Sequence, residues 1–287
     1  MKWERARRSR NVEDRRGRGM AAKGGGLSLG AIAIIVIIGL VMGKNPMEML
    51  GLVSQMSGQT SSAPSASAPA PVDDEASRFV AAILGETEDV WSALFAQMGR
   101  TYEPPRLVLF TDRVQSACGS ASSAIGPFYC PGDRQIYIDL SFFRQMETQL
   151  GGGGDFAEAY VIAHEVGHHI QTLTGTTARV NDIRRRGGDL EGDGGLLVRQ
   201  ELQADCYSGV WAHHAQRRHD WLEPGDIEEA LNTASAIGDD NLQRRSRGTV
   251  VPDSFTHGTS EQRVRWFRTG FENGRYELCD TFQAQRL

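Results

Sequence analysis

A chain of 287 residues holds one good-sized folded domain with room for appendages. Residues 1–23 carry nine Lys or Arg against three Asp or Glu, a surplus of six positive charges, and the whole chain sits at −5, so the remainder carries −11. An acidic main body argues against a nucleic-acid partner and fits a domain that stays in solution.

The first predicted element is Leu27–Met42, an uncharged, Ile-rich run. With its flanking glycines it approaches the roughly 20 residues that span a ~30 Å hydrocarbon core as a helix. Arg5, Arg7, Arg8, Arg10, Arg15, Arg16, Arg18 and Lys23 precede it, and only Lys44 follows closely. By the positive-inside rule the N-terminus is cytoplasmic and the rest exported. A cleaved signal peptide is the rival, but its apolar region is shorter and no clean A-x-A site follows Met42. A buried core helix would have different flanks. The expected plan is a cytoplasmic basic tail over 1–25, a transmembrane helix over 26–44 and a linker over 45–76. A folded domain over 77–287 follows. The protein would then be single-pass in the plasma (inner) membrane, with its domain periplasmic or extracellular. The Ser/Ala/Pro/Gln composition of Ser54–Ala76 buries too little apolar surface to fold.

From Ser77 the apolar residues fall at helical spacing, and Leu107–Phe110 and Gln135–Leu140 read as strands. Cys118 and Cys130 flank a loop of small residues between them. In an oxidising compartment they form an easy local disulfide, and no second Cys or His pair accompanies them as a metal finger would require. The strand bearing Tyr137 and Asp139 is either an edge that pairs with an extended peptide or an ordinary structural strand.

Asp155–Gly175 reads as a helix, with Asp155 as N-cap and Gly175 as stop signal. Within it stands HEVGHH. His164 and His168 lie four apart, so their imidazoles share one face. That spacing offers two nitrogens to a tetrahedral zinc, with Glu165 placed to reach a water rather than the metal. The bland alternative is an exposed polar turn or a pair of hydrogen-bonded core histidines. His169 points off that face and reads as supporting or surface.

A surface excursion, with at most a short helix, follows Gly175 before helical periodicity resumes near Leu196. Glu201 and Asp205, four apart, face the same way. Two His and one Glu are a ligand set for catalytic zinc, and Asp205 can accept the free N–H of a ligand histidine. Both carboxylates could instead be solvated surface charges. His213 and His214 lie near the basic end of this helix and suit its dipole better than the metal. Another helix starts at Pro224 and ends near Gly238, with Asp239 and Asp240 capping or looping. Thr259 and Gln262 form a capping box for a last helix. His257, just before it, is either a donor to a developing oxyanion or a plain loop histidine. Arg263 either orients His257 or the acidic shell, or is exposed. Cys206 pairs with Cys279 or stays free and buried.

NVEDRR (Asn11–Arg16), GPFYCP (Gly126–Pro131), YVIAHEVGHH (Tyr160–His169), ELQADC (Glu201–Cys206) and VPDSFTHGTSEQR (Val251–Arg263) together resemble the bacterial, membrane-anchored family of neutral zinc metallopeptidases (YpfJ-like). The motif pair also resembles gluzincin peptidases of the thermolysin and HtpX kinds, in which H-E-x-x-H is followed by E-x-x-x-D. In the latter kind a P-G-G turn precedes the metal helix and a T-H-P segment precedes an Arg. Here Asp133 replaces the second Gly and Gly258 the Pro. The resemblance implies an α+β fold, a zincin-like, mainly helical domain with a small β-sheet, preceded by one transmembrane helix. It implies one catalytic zinc ion on His164, His168 and Glu201, supported by Asp205 and Arg263. Glu165 would be general base in peptide-bond hydrolysis, assisted by His257, on a peptide or protein substrate near the membrane. A zinc-binding scaffold at the cell envelope, without turnover, is the alternative; it would need the ligands but not Glu165.

Overall fold

The computed structural model describes residues 1–17, 73–150 and 152–287. A short 3₁₀ turn at Trp3–Arg5 leads to strand β1 (Val12–Asp14). Helix α1 (Glu75–Gln97) opens on a capping box in which Asp74 accepts from the Ser77 amide and the Ser77 hydroxyl accepts from the Asp74 amide. Strands β2 (Arg106–Phe110), β3 (Arg113–Ser116), β4 (Gly119–Ser122), β5 (Phe128–Cys130) and β6 (Gln135–Asp139) follow. The rest is helical: α2 (Ser141–Gln145), α3 (Asp155–Thr174), α4 (Thr176–Arg185), α5 (Leu196–His219), α6 (Asp226–Ala236), α7 (Asp239–Arg247) and α8 (Ser260–Asn273).

The mixed, mainly helical architecture with a small sheet agrees with the sequence expectation. The main sheet has the order β1-β2-β6-β5; β1, β2 and β6 run parallel and β5 antiparallel to β6. Leu107, Val108, Leu109, Ile136, Tyr137 and Ile138 are buried, so β2 and β6 are covered on both faces, as parallel strands require. β6 is therefore an inner strand, the structural one of its two readings, and not an edge. Among the described residues, β5 is the outer strand on that side of the sheet, and it packs against α3.

The N-terminal residues overturn the single-pass membrane topology. β1 pairs with β2, the Leu107 amide donates to the Asn11 carbonyl, and Trp3 packs edge-on against Phe79 at 5.4 Å. Glu88 on α1 accepts from Ser9 at 2.5 Å, Asn11 at 2.7 Å and Arg7 at 2.8 Å. Arg16 reaches Asp74 at 2.9 Å. Residues 1–16 thus belong to the same compact unit as the helices and are no separate cytoplasmic tail. A chain crossing a bilayer once between residues 17 and 73 would leave β1 and β2 on opposite sides, which their hydrogen bonds forbid. No helix among the described residues is long and apolar enough to cross a membrane. The Leu27–Met42 run and residues 45–72 of the expected 45–76 linker lie outside them, and the last residues of that linker instead cap and begin α1.

Helix α3 lies under the sheet with Phe156, Tyr160, Ile162, Val166 and Ile170 buried. α5 packs beside it, and α8 crosses α5 backbone to backbone. A Cβ on Gly209 would stand 2.1 Å from the Phe267 carbonyl oxygen, and one on Gly270 2.0 Å from that of Cys206. Only glycine at both positions permits this crossing. Both cysteine pairs, Cys118–Cys130 and Cys206–Cys279, are disulfide-bonded.

Removing residues 1–16 should lower stability by at least about 3 kcal/mol, the usual cost of deleting one large core aromatic. Chemical denaturation of the shortened chain measures it, and an unchanged midpoint would show that this segment is dispensable to the core.

Candidate metal centre

The two ligand-bearing helices approach closely because their contact residues are small. Gly167, between the two histidines, faces Ala204 on α5, where an added Cβ would stand 2.9 Å from the Ala204 Cα. This contact brings Glu201, in the second turn of α5, opposite His164 and His168. The His164 Nε2 lies 3.2 Å from Glu201 Oε2, and the His168 Nε2 3.4 Å from Glu201 Oε1. Ligand atoms on a tetrahedral zinc with ~2.0–2.1 Å bonds are about 3.3 Å apart. The spacing fits.

Asp205, one turn beyond Glu201, is fully buried. Its Oδ1 lies 2.8 Å from His164 Nδ1 and accepts from the Tyr160 hydroxyl at 2.6 Å. A carboxylate only accepts here, so His164 carries a proton on Nδ1, and Nε2 is the nitrogen that faces Glu201. Arg263, reaching in from α8, grips both Asp205 oxygens at 2.9 Å and also donates to the Tyr160 hydroxyl. Burial would raise the Asp205 carboxyl, but Arg263 and His164 outweigh it and hold it at about 2. Burial likewise opposes charge on His164, yet Asp205 and Glu201 lift it to about 10. A field that pulls protons onto buried imidazoles equally favours a divalent cation between them.

A family model matches residues 1–282. The chain belongs to the family described as "Putative neutral zinc metallopeptidase". An uncharacterized protein of Escherichia coli, YpfJ, is 48% identical over 289 residues, covering 98% of this chain and 99% of that protein. Uncharacterized proteins of Mycobacterium tuberculosis and Mycobacterium bovis are 42% identical over 223 residues, covering 74% of this chain and of each relative. No solved structure matches the chain. For a zinc peptidase family the donor set is apt: two imidazoles and a carboxylate, with no thiolate, leave a position open to water.

The other residues singled out from the sequence fall in distinct places. Glu165 is buried beside the ligands on the wall of a cleft of ≈ 520 Å³, and among the described residues no hydrogen bond or ion pair engages its carboxylate. Burial raises its pKa. His257 stands at the rim of the same cleft, half exposed, with Nδ1 2.9 Å from the Thr256 hydroxyl and 3.4 Å from Asp239 Oδ1. His169 is neither a surface residue nor in contact with the cage. It is fully buried between the Glu103 carbonyl at 2.6 Å and the Tyr129 hydroxyl at 3.1 Å, and burial lowers it to about 4. It thereby pins β5 to the metal helix as a neutral ring. His213 and His214 hold the Phe271 and Gly274 carbonyls at the end of α8 instead of serving their own helix dipole.

Tyr160 was not singled out in the sequence, although it lies four residues before His164 and hence on the same face. Asp239 was read only as a cap or loop residue; its Oδ2 accepts from the backbone amides of Thr256, His257 and Gly258, which fixes the His257 loop. A second carboxylate group, Asp155, Asp226 and Glu229, could also hold a cation by spacing alone. There the Met1 ammonium stands 2.7 Å from Asp155 and 3.5 Å from Asp226.

Arg263→Met would leave the Asp205 carboxylate buried without its guanidinium, a change that costs about 3–5 kcal/mol when one partner of a buried pair is lost. Equilibrium denaturation should show that loss; a change under about 1 kcal/mol, the range of exposed pairs, would contradict the clamp.

Proposed function

We propose that the chain hydrolyses peptide bonds in a zinc-dependent reaction with Glu165 as proton carrier. The observation that carries this reading is Glu165 itself, a buried carboxyl beside the His164–His168–Glu201 cluster, on the cleft wall, with no hydrogen bond or ion pair to its carboxylate among the described residues. A metal-binding scaffold has no use for such a group. His164, His168 and Glu201 would hold the zinc, which would supply Lewis acidity toward a carbonyl and lower the pKa of water toward neutrality.

The chain's own groups do the rest. Glu165, its pKa raised by burial, takes a proton from the attacking water and returns one to the departing amine. Asp239, beside the His257 Nδ1, raises the His257 pKa, and the imidazolium so favoured keeps a proton on Nε2 to donate to a carbonyl oxygen that is gaining charge. Gly126, Pro127, Phe128 and Tyr129 line the cleft, so the free edge of β5 runs along it and can pair with a substrate backbone in extended form. Apolar Val161, Ile237 and Leu242 line it too, which suits peptide and protein substrates. The two disulfides fit an oxidising, extracytoplasmic setting.

Glu165→Gln should keep its zinc and lose peptide hydrolysis by about 10²–10⁴-fold, the usual contribution of a positioned acid–base group. Turnover equal to the parent on a peptide that the parent cleaves would refute the role of Glu165.

A further inference from the structure

Gln171 is a fully buried amide one turn beyond His168 on α3. Its Nε2 donates to the Gln200 carbonyl at 2.6 Å and to Gln203 Oε1 at 3.2 Å, and its Oε1 lies 3.0 Å from His168 Nδ1. The orientation is forced. A backbone carbonyl only accepts, so the amide nitrogen must face Gln200 and the amide oxygen must face the imidazole. His168 then has to carry its proton on Nδ1. Nε2, the atom 3.4 Å from Glu201 Oε1, is then the nitrogen left to face the cage. Gln200 directly precedes Glu201, so one amide ties the second histidine to the helix that bears the carboxylate. Gln203 in turn donates to the Cys279 carbonyl at 3.0 Å, and Cys279 is disulfide-bonded to Cys206 on α5.

We propose that Gln171 is the positioning residue for His168 in the zinc cage, and that Gln203 and the disulfide-tethered Cys279 carbonyl hold Gln171 in place. His164 is oriented by a charged carboxylate, Asp205, whereas His168 is oriented by a neutral amide whose own direction depends on the C-terminal tail. The cage is thus coupled to the Cys206–Cys279 bridge through a line of hydrogen bonds. Gln171→Leu conserves bulk but removes the acceptor, so it frees the His168 ring to rotate or change tautomer. The inference rests on the zinc reading above.

The test is zinc affinity of the full chain, measured by competition with a chelator, for the parent, Gln171→Leu, Gln203→Leu and the Cys206→Ala/Cys279→Ala pair. Circular dichroism of each metal-free protein reports folding. Gln171→Leu should bind zinc about 10- to 100-fold more weakly while remaining folded, the range for losing a partner that orients a ligand. The other two should lose less. Affinity within about twofold of the parent for Gln171→Leu, well below that range, overturns the proposal. Parent-like affinity in both Gln203→Leu and the cysteine pair overturns its extension to the tail. Should Gln171→Leu fail to fold, nitrogen NMR of the zinc-loaded parent decides. A proton on His168 Nδ1 supports the assignment, and a proton on Nε2 refutes it. A parent that takes up no zinc would instead refute the zinc reading, a result distinct from parent and variant binding alike.

Discussion

The cage depends on one buried carboxylate. Asp205 accepts from Tyr160, His164 and Arg263 and so joins three helices, α3, α5 and α8, at a point with no access to water. A carboxylate in such a place is unfavourable unless countercharge and hydrogen bonds surround it. The guanidinium from α8 supplies the charge, and the imidazole of a metal ligand supplies one of the hydrogen bonds. Folding of the helical core and orientation of His164 are therefore a single event. Whatever displaces α8 also loosens the hold of Asp205 on His164.

The close approach of the helices has its own sequence requirements. Gly167 against Ala204 brings the ligands to within about one zinc-ligand edge, and Gly209 with Gly270 lets α8 come near enough for Arg263 to reach Asp205. On the far side, the sheet depends on residues 1–16, because β1 closes one edge of β2 while β5 stays open along the cleft. His169 holds that open edge at a set distance from the metal helix.

Much of the site was legible because its determinants are local. The spacing of His164, Glu165 and His168 needs only the pitch of a helix, and the Thr259–Gln262 capping box spans only four residues. Gly175 stops α3 as expected, although Asp155 is its first helical residue and Gly154 occupies the cap. What escaped depends on contacts distant in sequence. Val12–Asp14 is a short, charged strand whose partner lies more than 90 residues away, so its composition reads as a basic tail. The error about crossing a membrane once follows from that same pairing, whereas the inner position of β6 follows from its pairing with β2 on one side and β5 on the other. Gln171, Tyr160 and Asp239 are ordinary polar letters in helical stretches. Their meaning comes only from the partners that folding brings to them.

Zinc K-edge absorption of the protein loaded with one equivalent of zinc tests the central claim most directly. Two imidazole nitrogens at ~2.0–2.1 Å, with oxygen making up the rest of the shell, are expected, and the spectrum should change in Glu201→Ala. A shell containing sulfur or a third imidazole, or a spectrum indifferent to Glu201, would contradict a cage built by one carboxylate meeting two histidines across α3 and α5.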